Sequence, residues 1–217
     1  CPMSLVGNWQ RESAKFAPQL HVYAHHGRER LRGDALRERL AVTDLIVTTY
    51  ATGTRDIDEL SGYDWQRVVL DEAQAIKNSL SRTAKATRRL RAAHRVALTG
   101  TPVENRLAEL WSIMDFLNPG MLGSSELFRA RYAIPVERHG ATEPAERLRA
   151  ITRPYILRRL KTDRSIIADL PAKMEMKVFC TLTKEQASLY QAVVAEMMDT
   201  LKSKDDEVFF DAASTQL

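Results

Sequence analysis

The stretch that decides the fold is RVVLDEAQ, at residues 67–74. Its apolar residues Val68, Val69 and Leu70, two of them β-branched, run directly into the carboxylates Asp71 and Glu72. A short apolar run of this kind is typical of a strand that is buried on both faces of a parallel sheet. Such sheets bind ligands outside the carboxyl ends of their strands, so we expect both acids at the rim of the sheet.

The two adjacent acids have a functional interpretation and a plainer one. Successive side chains of a strand point to opposite faces, which suits Asp71 and Glu72 to two different tasks. One carboxylate would hold Mg²⁺ through its water shell, and the other would orient or deprotonate an attacking water. The alternative is two solvated acids after a strand, and this stretch alone favours neither interpretation.

Patterns of strands and helices alternate over the first 120 residues. The strand candidates lie at 20–24, 44–49, 67–70 and 95–98, with helix candidates between them. This alternation predicts an α/β fold with a mostly parallel sheet and helices on both faces.

After residue 120 the pattern becomes helical. We predict helices at 125–133 and 144–152, with a loop rich in Pro and Gly between them. A strand candidate returns at 177–182, and Thr183 and Gln186 then have the spacing of a capping box. We expect the helix that follows to end in a solvated loop at the charged run 202–207.

Composition limits the classes of protein that the chain can belong to. It has 217 residues, 44% of them hydrophobic, a net charge of +4 and an isoelectric point near 9.1. This mild basic balance is compatible with polyanionic partners but does not establish them. No stretch is long and apolar enough to cross a bilayer, so we expect no membrane partner. Cys1 and Cys180 fit no zinc spacing, and we interpret them as intracellular free thiols.

Several segments together resemble one family. DEAQ at 71–74 resembles the Walker B motif of helicase superfamily two, and ALTGTP at 97–102 resembles its motif III. The continuation to residue 120 is similar to Swi/Snf-type DNA translocases rather than to DEAD-box RNA helicases. The further stretches that resemble this family are CPMSLVGNW at 1–9, RPYILRRLK at 153–161 and LPAKME at 170–175.

The resemblance implies a RecA-like lobe of the P-loop NTPase class and assigns roles to its residues. Asp71 would coordinate Mg²⁺ through water, Glu72 would act on the attacking water, and Gln74 would contact motif III or a second lobe. The segment that would couple the nucleotide to DNA consists of Thr99, Gly100 and Thr101. The residues that would hold DNA phosphates are Ser4, Asn8, Thr48, Thr49, Lys77 and Asn78, with Pro2 and Trp9 in the same motif.

Other polar and aromatic residues have less specific interpretations. Trp9, Trp111 and Phe116 suit core packing, and His25 and His26 suit a loop after a strand. Between residues 77 and 95 there are basic residues and no acid, which predicts a solvated helix face or, alternatively, a DNA-facing surface. These basic residues are Lys77, Arg82, Lys85, Arg88, Arg89, Arg91 and Arg95.

The resemblance also implies that parts of a motor lie outside this chain. No Gly-Lys dipeptide, the end of a phosphate-binding Walker A loop, occurs in the 217 residues. We therefore expect a fold that is incomplete at both ends and an isolated chain that does not hydrolyse ATP. The expected segments are a first lobe without its Walker A strand and loop (1–120), a helical protrusion (121–175), and a strand and helix leading to the second lobe (176–217).

The expected function of the intact protein is ATP-dependent translocation on double-stranded DNA. ATP and Mg²⁺ would be its cofactors, and duplex DNA and its own second RecA-like lobe its partners. We expect a cytoplasmic location at a bacterial nucleoid, or a nuclear one if the protein is eukaryotic. The alternatives are a non-catalytic DNA-binding scaffold on a decayed motor fold and another nucleic-acid motor of the same superfamily.

Overall fold

The computed structural model describes residues 1–101, 105–159, 176–178 and 180–213, with side chains as far as residue 199. The chain divides into two compact units, Cys1–Leu157 and Arg158–Leu217. The strands of the first unit are β1 (Val22–His25), β2 (Leu45–Thr48), β3 (Asp64–Asp71) and β4 (Arg91–Leu98). Its α-helices are α1 (Val6–Phe16), α2 (Gly33–Ala41), α3 (Tyr50–Arg55), α4 (Ile57–Leu60), α5 (Arg82–Arg89), α6 (Leu107–Leu117), α7 (Ser125–Phe128), α8 (Ile134–His139) and α9 (Thr142–Thr152).

The strands pair in parallel, which confirms the predicted α/β class. β1 pairs with β2, and β3 pairs with β4. In the second pair Asp71 lies opposite Leu98, so β3 and β4 end at the same level. The described strands thus form two parallel pairs rather than one continuous sheet. Parallel register brings the residues after β3 and after β4 to one edge, as the sequence predicted.

The prediction that β3 is buried on both faces is wrong. Val69 is 43% exposed, and Val96, its partner on β4, is 37% exposed. β3 pairs with β4 along one edge only, and its other side lines an apolar groove that it shares with β2. Leu70, by contrast, is buried and holds the end of the strand in the core.

The turn after β3 is fixed by its own apolar residues. Residues 73–76 form a turn of 3₁₀ helix, in which Ala73 and Ile76 are fully buried against Leu70 and Phe116. The buried Ser112 hydroxyl on α6 donates a 2.5 Å hydrogen bond to the Ile76 carbonyl oxygen. Gln74 therefore lies between two residues, Ala73 and Ile76, that are buried in the core.

The helical segment after α6 shares a core with α6 itself. Leu110 and Met114 pack with Leu122, Phe128 and Tyr132 in one buried cluster. The loop predicted between residues 133 and 144 is wrong, because Ile134–His139 is helical. Pro135 is compatible with the first turn of a helix, and Gly140, with φ of 61°, ends it in the left-handed conformation.

A buried ion pair joins the loop after β1 to the junction between α3 and α4. Arg30 donates two hydrogen bonds to Asp56, from Nε at 2.5 Å and from Nη2 at 2.7 Å. His25 lies 3.0 Å from the same carboxylate and has no exposed side-chain surface. The interpretation of His25 as a loop residue is wrong, because it ends β1 and belongs to this buried cluster.

The second unit contains one long helix, α10 (Lys184–Ala213). The capping box is confirmed, since Thr183 Oγ1 accepts from the Gln186 amide and Gln186 Oε1 accepts from the Thr183 amide. The strand predicted at 177–182 is wrong for the residues described there, which pair with no described strand. The charged run 202–207 lies inside α10 and does not end it, because Lys and Glu favour helix. The LPAKME stretch at 170–175 lies outside the described residues.

Candidate functional site

Asp71 ends β3, and Glu72 begins the turn with an unusual backbone. Glu72 has φ of 53° and ψ of 55°, and it alone among the described non-glycine residues has a positive φ. A left-handed conformation costs a residue with a side chain about 1–2 kcal/mol, so the surrounding structure must hold it in place. This conformation lies at the point where the chain leaves β3 for the 3₁₀ turn at 73–76.

The Asp71 carboxylate is held by two N–H donors. Oδ2 accepts a 2.8 Å hydrogen bond from the indole Nε1 of Trp9, and Oδ1 accepts a 2.9 Å bond from the Glu72 amide. Hydrogen bonds to an ionised acceptor are stronger than those between neutral groups, so both restrict rotation of the carboxylate. Each oxygen keeps acceptor capacity for a water or a cation.

The Glu72 carboxylate belongs to a chain of hydrogen bonds that reaches β4. Gln74 Nε2 donates to Glu72 Oε2 at 2.6 Å, and Thr99 Oγ1 donates to Gln74 Oε1 at 2.9 Å. The Thr101 amide in turn donates to Thr99 Oγ1 at 3.2 Å. The structure thus brings together Glu72, Gln74 and the segment after β4. Gly100 lies exposed within that segment.

Tyr50 holds the same turn from the other side. Its hydroxyl donates a 2.8 Å hydrogen bond to the Asp71 carbonyl oxygen and lies 3.4 Å from that of Glu72. Burial, followed by the negative charges of Asp71 and Glu72, raises the pKa of Tyr50. The phenol therefore stays protonated and remains a donor. The sequence placed this tyrosine in a segment with Thr48 and Thr49 but gave no sign of its contact with the acids.

The predicted nucleic-acid residues have different surroundings. Ser4 and Asn8 are exposed at the start of the chain, on a 3₁₀ turn and on α1. The Thr48 hydroxyl donates to the His25 carbonyl oxygen, and Thr49 is 5% exposed and caps α3 through the Thr52 amide. After the turn at 73–76 come a partly buried Lys77, 3.8 Å from a Glu109 carboxylate oxygen, and an exposed Asn78 whose Oδ1 accepts from the Leu80 amide.

Two arginines outside the predicted nucleic-acid residues lie near Thr49. A hollow between the start of the chain, the loop after β1 and the start of α3 is lined by Pro2, Thr49, Arg28 and Arg55. Both arginine side chains are exposed there. The stretch HGRER at 26–30, directly after a strand, could have indicated a basic loop at the edge of the sheet.

The basic residues between 77 and 95 have different surroundings, and some of them are bonded to α6. Arg88 donates to the Ser112 hydroxyl at 2.9 Å, and Arg95 donates to the Phe116 carbonyl oxygen at 2.8 Å. The solvated-face prediction is wrong for these two residues, which connect α5 and β4 to α6. Exposed ion pairs join Arg89 to Asp58 and Arg91 to Asp64.

Two kinds of feature are absent from the described part of the chain. No group of three or more His, Cys, Asp and Glu side chains converges there as a metal site. None of the described helices has both the length and the apolar character that crossing a membrane requires.

Parallel strands whose carboxyl ends carry two hydrogen-bonded acids and a linked polar segment fit a RecA-like lobe, the kind of domain found in nucleotide-dependent motors. The comparison with family models gives the same class. The model of the SNF2-related domain matches residues 1–215, and the chain belongs to this family.

Individual relatives and solved structures agree with this assignment. YwqA of Bacillus subtilis, named for a proposed ATP-dependent helicase/translocase activity, is 44% identical over 93% of this chain. The TATA-binding protein-associated factor mot1 of Schizosaccharomyces pombe is 37% identical over 95% of it. The Sulfolobus solfataricus SWI2/SNF2 ATPase core in complex with double-stranded DNA matches 94% of this chain with 43% identity and a TM-score of 0.69.

The chain is much shorter than these proteins. It spans 22% of YwqA, 11% of mot1 and 42% of the archaeal ATPase core. The similarity therefore covers nearly all of this chain and a minor part of each relative.

Proposed function

We propose that this chain forms part of the first motor lobe of an ATP-dependent translocase that moves on double-stranded DNA. The observation that carries the proposal is the hydrogen-bonded run from Glu72 through Gln74 to Thr99. It connects an acid at the end of β3 to the polar segment after β4, where a nucleotide and a moving segment would meet. Family membership and the DNA-bound archaeal structure support the same function.

The acids fit the demands of a magnesium nucleotide. Mg²⁺ binds proteins through one or two carboxylates and takes its other ligands from water and substrate phosphates, so a cluster of three acids is not required. Asp71, with both oxygens oriented by N–H donors, would hold such an ion through water. When bound, the ion would neutralise charge on the phosphates.

The other residues of the turn would act on water and on the neighbouring segment. Glu72 would orient the attacking water and accept its proton, because Gln74 fixes one carboxylate oxygen and leaves the other available. Gln74 and Thr99 would transmit the state of this site to the segment at Gly100 and Thr101. The phosphate-binding loop and the second lobe would come from residues outside this chain, so we propose that the chain alone does not hydrolyse ATP.

DNA would contact the edge formed by the start of α1 and the hollow beside α3. The exposed Ser4 and Asn8, with Arg28 and Arg55 nearby, would bind phosphates without reading sequence. Thr48 and Thr49 would hold the backbone that shapes this surface, and Lys77 and Asn78 would extend it. Such a protein would act at a bacterial nucleoid, or in a nucleus if the source is eukaryotic.

Duplex DNA should stimulate ATP hydrolysis by the intact protein more strongly than single strands or RNA do. We expect a rise of about 10-fold or more in kcat with duplex, because phosphates held in duplex geometry would favour closure of the site, as bound substrate does in other enzymes. The measurement is steady-state ATPase at equal nucleotide concentrations of the three nucleic acids. Equal stimulation by RNA would indicate another superfamily-two motor, and no hydrolysis in any arm would indicate a scaffold.

A further inference from the structure

The three tryptophans of this chain use their indole N–H groups differently. Trp65 donates to the Leu60 carbonyl oxygen at 3.0 Å, and Trp111 donates to that of Gly123 at 3.1 Å. Trp9 donates to a carboxylate, Oδ2 of Asp71, at 2.8 Å. The sequence suggested core packing for Trp9, yet its one polar atom is bonded to the acid proposed to hold the metal.

The hydrogen bond between Trp9 and Asp71 joins residues that are far apart in the sequence. Trp9 lies on α1 and is 62 positions from Asp71. The residue before it, Asn8, is exposed, as is Ser4 in the preceding 3₁₀ turn. The 3₁₀ turn and α1 together therefore carry exposed polar residues and a direct hydrogen bond to the candidate catalytic acid.

Trp9 and the Glu72 amide share the task of orienting Asp71. Trp9 donates to Oδ2 and the amide donates to Oδ1, so both oxygens of the carboxylate accept a hydrogen bond. Removing the Trp9 donor would leave the carboxylate held at Oδ1 alone, so it would turn more easily about its last side-chain bond. Removing the hydrogen-bond partner of a metal-binding side chain typically costs about 10-fold or more in metal affinity or activity.

We propose that Trp9 is a positioning residue that sets the orientation of Asp71 and couples it to nucleic acid bound at α1. The inference rests on the proposed function, since it concerns the metal-holding role of Asp71. A shift of α1 on binding DNA would move the indole N–H and with it the carboxylate. Tyr50, which holds the backbone of the same turn from α3, would preserve the position of the main chain while the carboxylate turns.

The test compares two Trp→Phe variants in the intact protein. Trp9→Phe keeps an aromatic ring and removes the donor to Asp71. Trp111→Phe is the matched control, because it removes an indole bond of similar length to a carbonyl oxygen far from the acids in sequence. ATP hydrolysis is measured against Mg²⁺ concentration, with and without saturating duplex DNA, and thermal unfolding is followed for each variant.

We expect Trp9→Phe to need about 10-fold more Mg²⁺ for half-maximal hydrolysis and to lose most of the stimulation by DNA. Trp111→Phe should keep the wild-type Mg²⁺ requirement and stimulation. Equal Mg²⁺ curves and equal stimulation for the two variants would overturn the inference while leaving the proposed function intact. A wild-type protein without DNA-stimulated hydrolysis would overturn both.

A second replacement covers the case in which Trp9→Phe unfolds below the assay temperature. Benzothienylalanine at position 9 has nearly the shape of tryptophan, with sulfur in place of the N–H group. It should reproduce the raised Mg²⁺ requirement with an unchanged unfolding temperature. A wild-type Mg²⁺ curve with this residue would exclude a role for the hydrogen bond.

Discussion

Replacing Glu72 with Gln in the intact protein is expected to lower kcat for ATP hydrolysis by at least about 100-fold, the usual cost of losing a general base. The amide has the size of the carboxylate, and its oxygen can still accept the hydrogen bond from Gln74. It cannot take a proton from water. ATP and DNA affinities should therefore stay near wild type while turnover stops, as measured by single-turnover hydrolysis and equilibrium binding.

Glu38→Gln is the matched control for this change. Glu38 is an exposed residue of α2, in a different element from the two acids, and its replacement removes the same charge. It should hydrolyse ATP at the wild-type rate. Unchanged hydrolysis in Glu72→Gln would remove Glu72 from its proposed role, and lost ATP or DNA binding would point to a structural effect instead.

Replacing Asp56 with Asn is expected to destabilise the fold by about 3–5 kcal/mol, the usual cost of leaving one member of a buried ion pair unpaired. The side chains of Arg30 and Asp56 are only 3% and 7% exposed, so water cannot solvate the arginine that remains. His25 would also lose its carboxylate partner. Urea-induced unfolding of the chain, followed by circular dichroism, measures the change.

Asp34→Asn is the control for Asp56→Asn. Asp34 also faces an arginine, Arg37 at 3.3 Å, but both side chains are largely exposed. Exposed pairs of this kind contribute little, so the midpoint of unfolding should not move measurably. A similar midpoint for the two variants would show that the buried pair does not stabilise the fold.

The Asp56 carboxylate also predicts how stability depends on pH. The hydrogen bonds from Arg30 are the largest cause of a pKa for Asp56 below its ordinary value. A carboxyl group with a lowered folded-state pKa contributes stability that is complete above its unfolded pKa, about 3.9, and is lost as pH falls toward the folded value. Wild-type chain should therefore lose more stability than Asp56→Asn when pH falls from about 5 to about 3.

The position of the two acids could be predicted from the sequence because it depends on local pattern. An apolar run before Asp71 and Glu72 is enough to predict a strand and its end, and parallel pairing then brings Thr99 to the same edge. The exact path of the chain at Glu72 could not be predicted, because the left-handed conformation of a glutamate is imposed by its surroundings.

Contacts between distant side chains could not be predicted from local pattern, and the contact between Gln74 and Thr99 was expected only from the family resemblance. The bond from Trp9 to Asp71 and the cluster of His25, Arg30 and Asp56 join residues whose approach depends on packing of whole elements. A run of arginines likewise gives no sign that Arg88 turns toward α6. Periodicity failed at 177–182, where alternation of apolar and polar residues is present without a described partner strand.

Movement along duplex DNA is the central claim, and displacement of a third strand tests it most directly. The intact protein is mixed with a duplex that carries a triplex-forming oligonucleotide, and release of each strand is followed with and without ATP. We expect ATP-dependent release of the third strand, with the two strands of the duplex remaining paired. Hydrolysis of ATP with the third strand retained, or separation of the duplex itself, would contradict the proposed translocase.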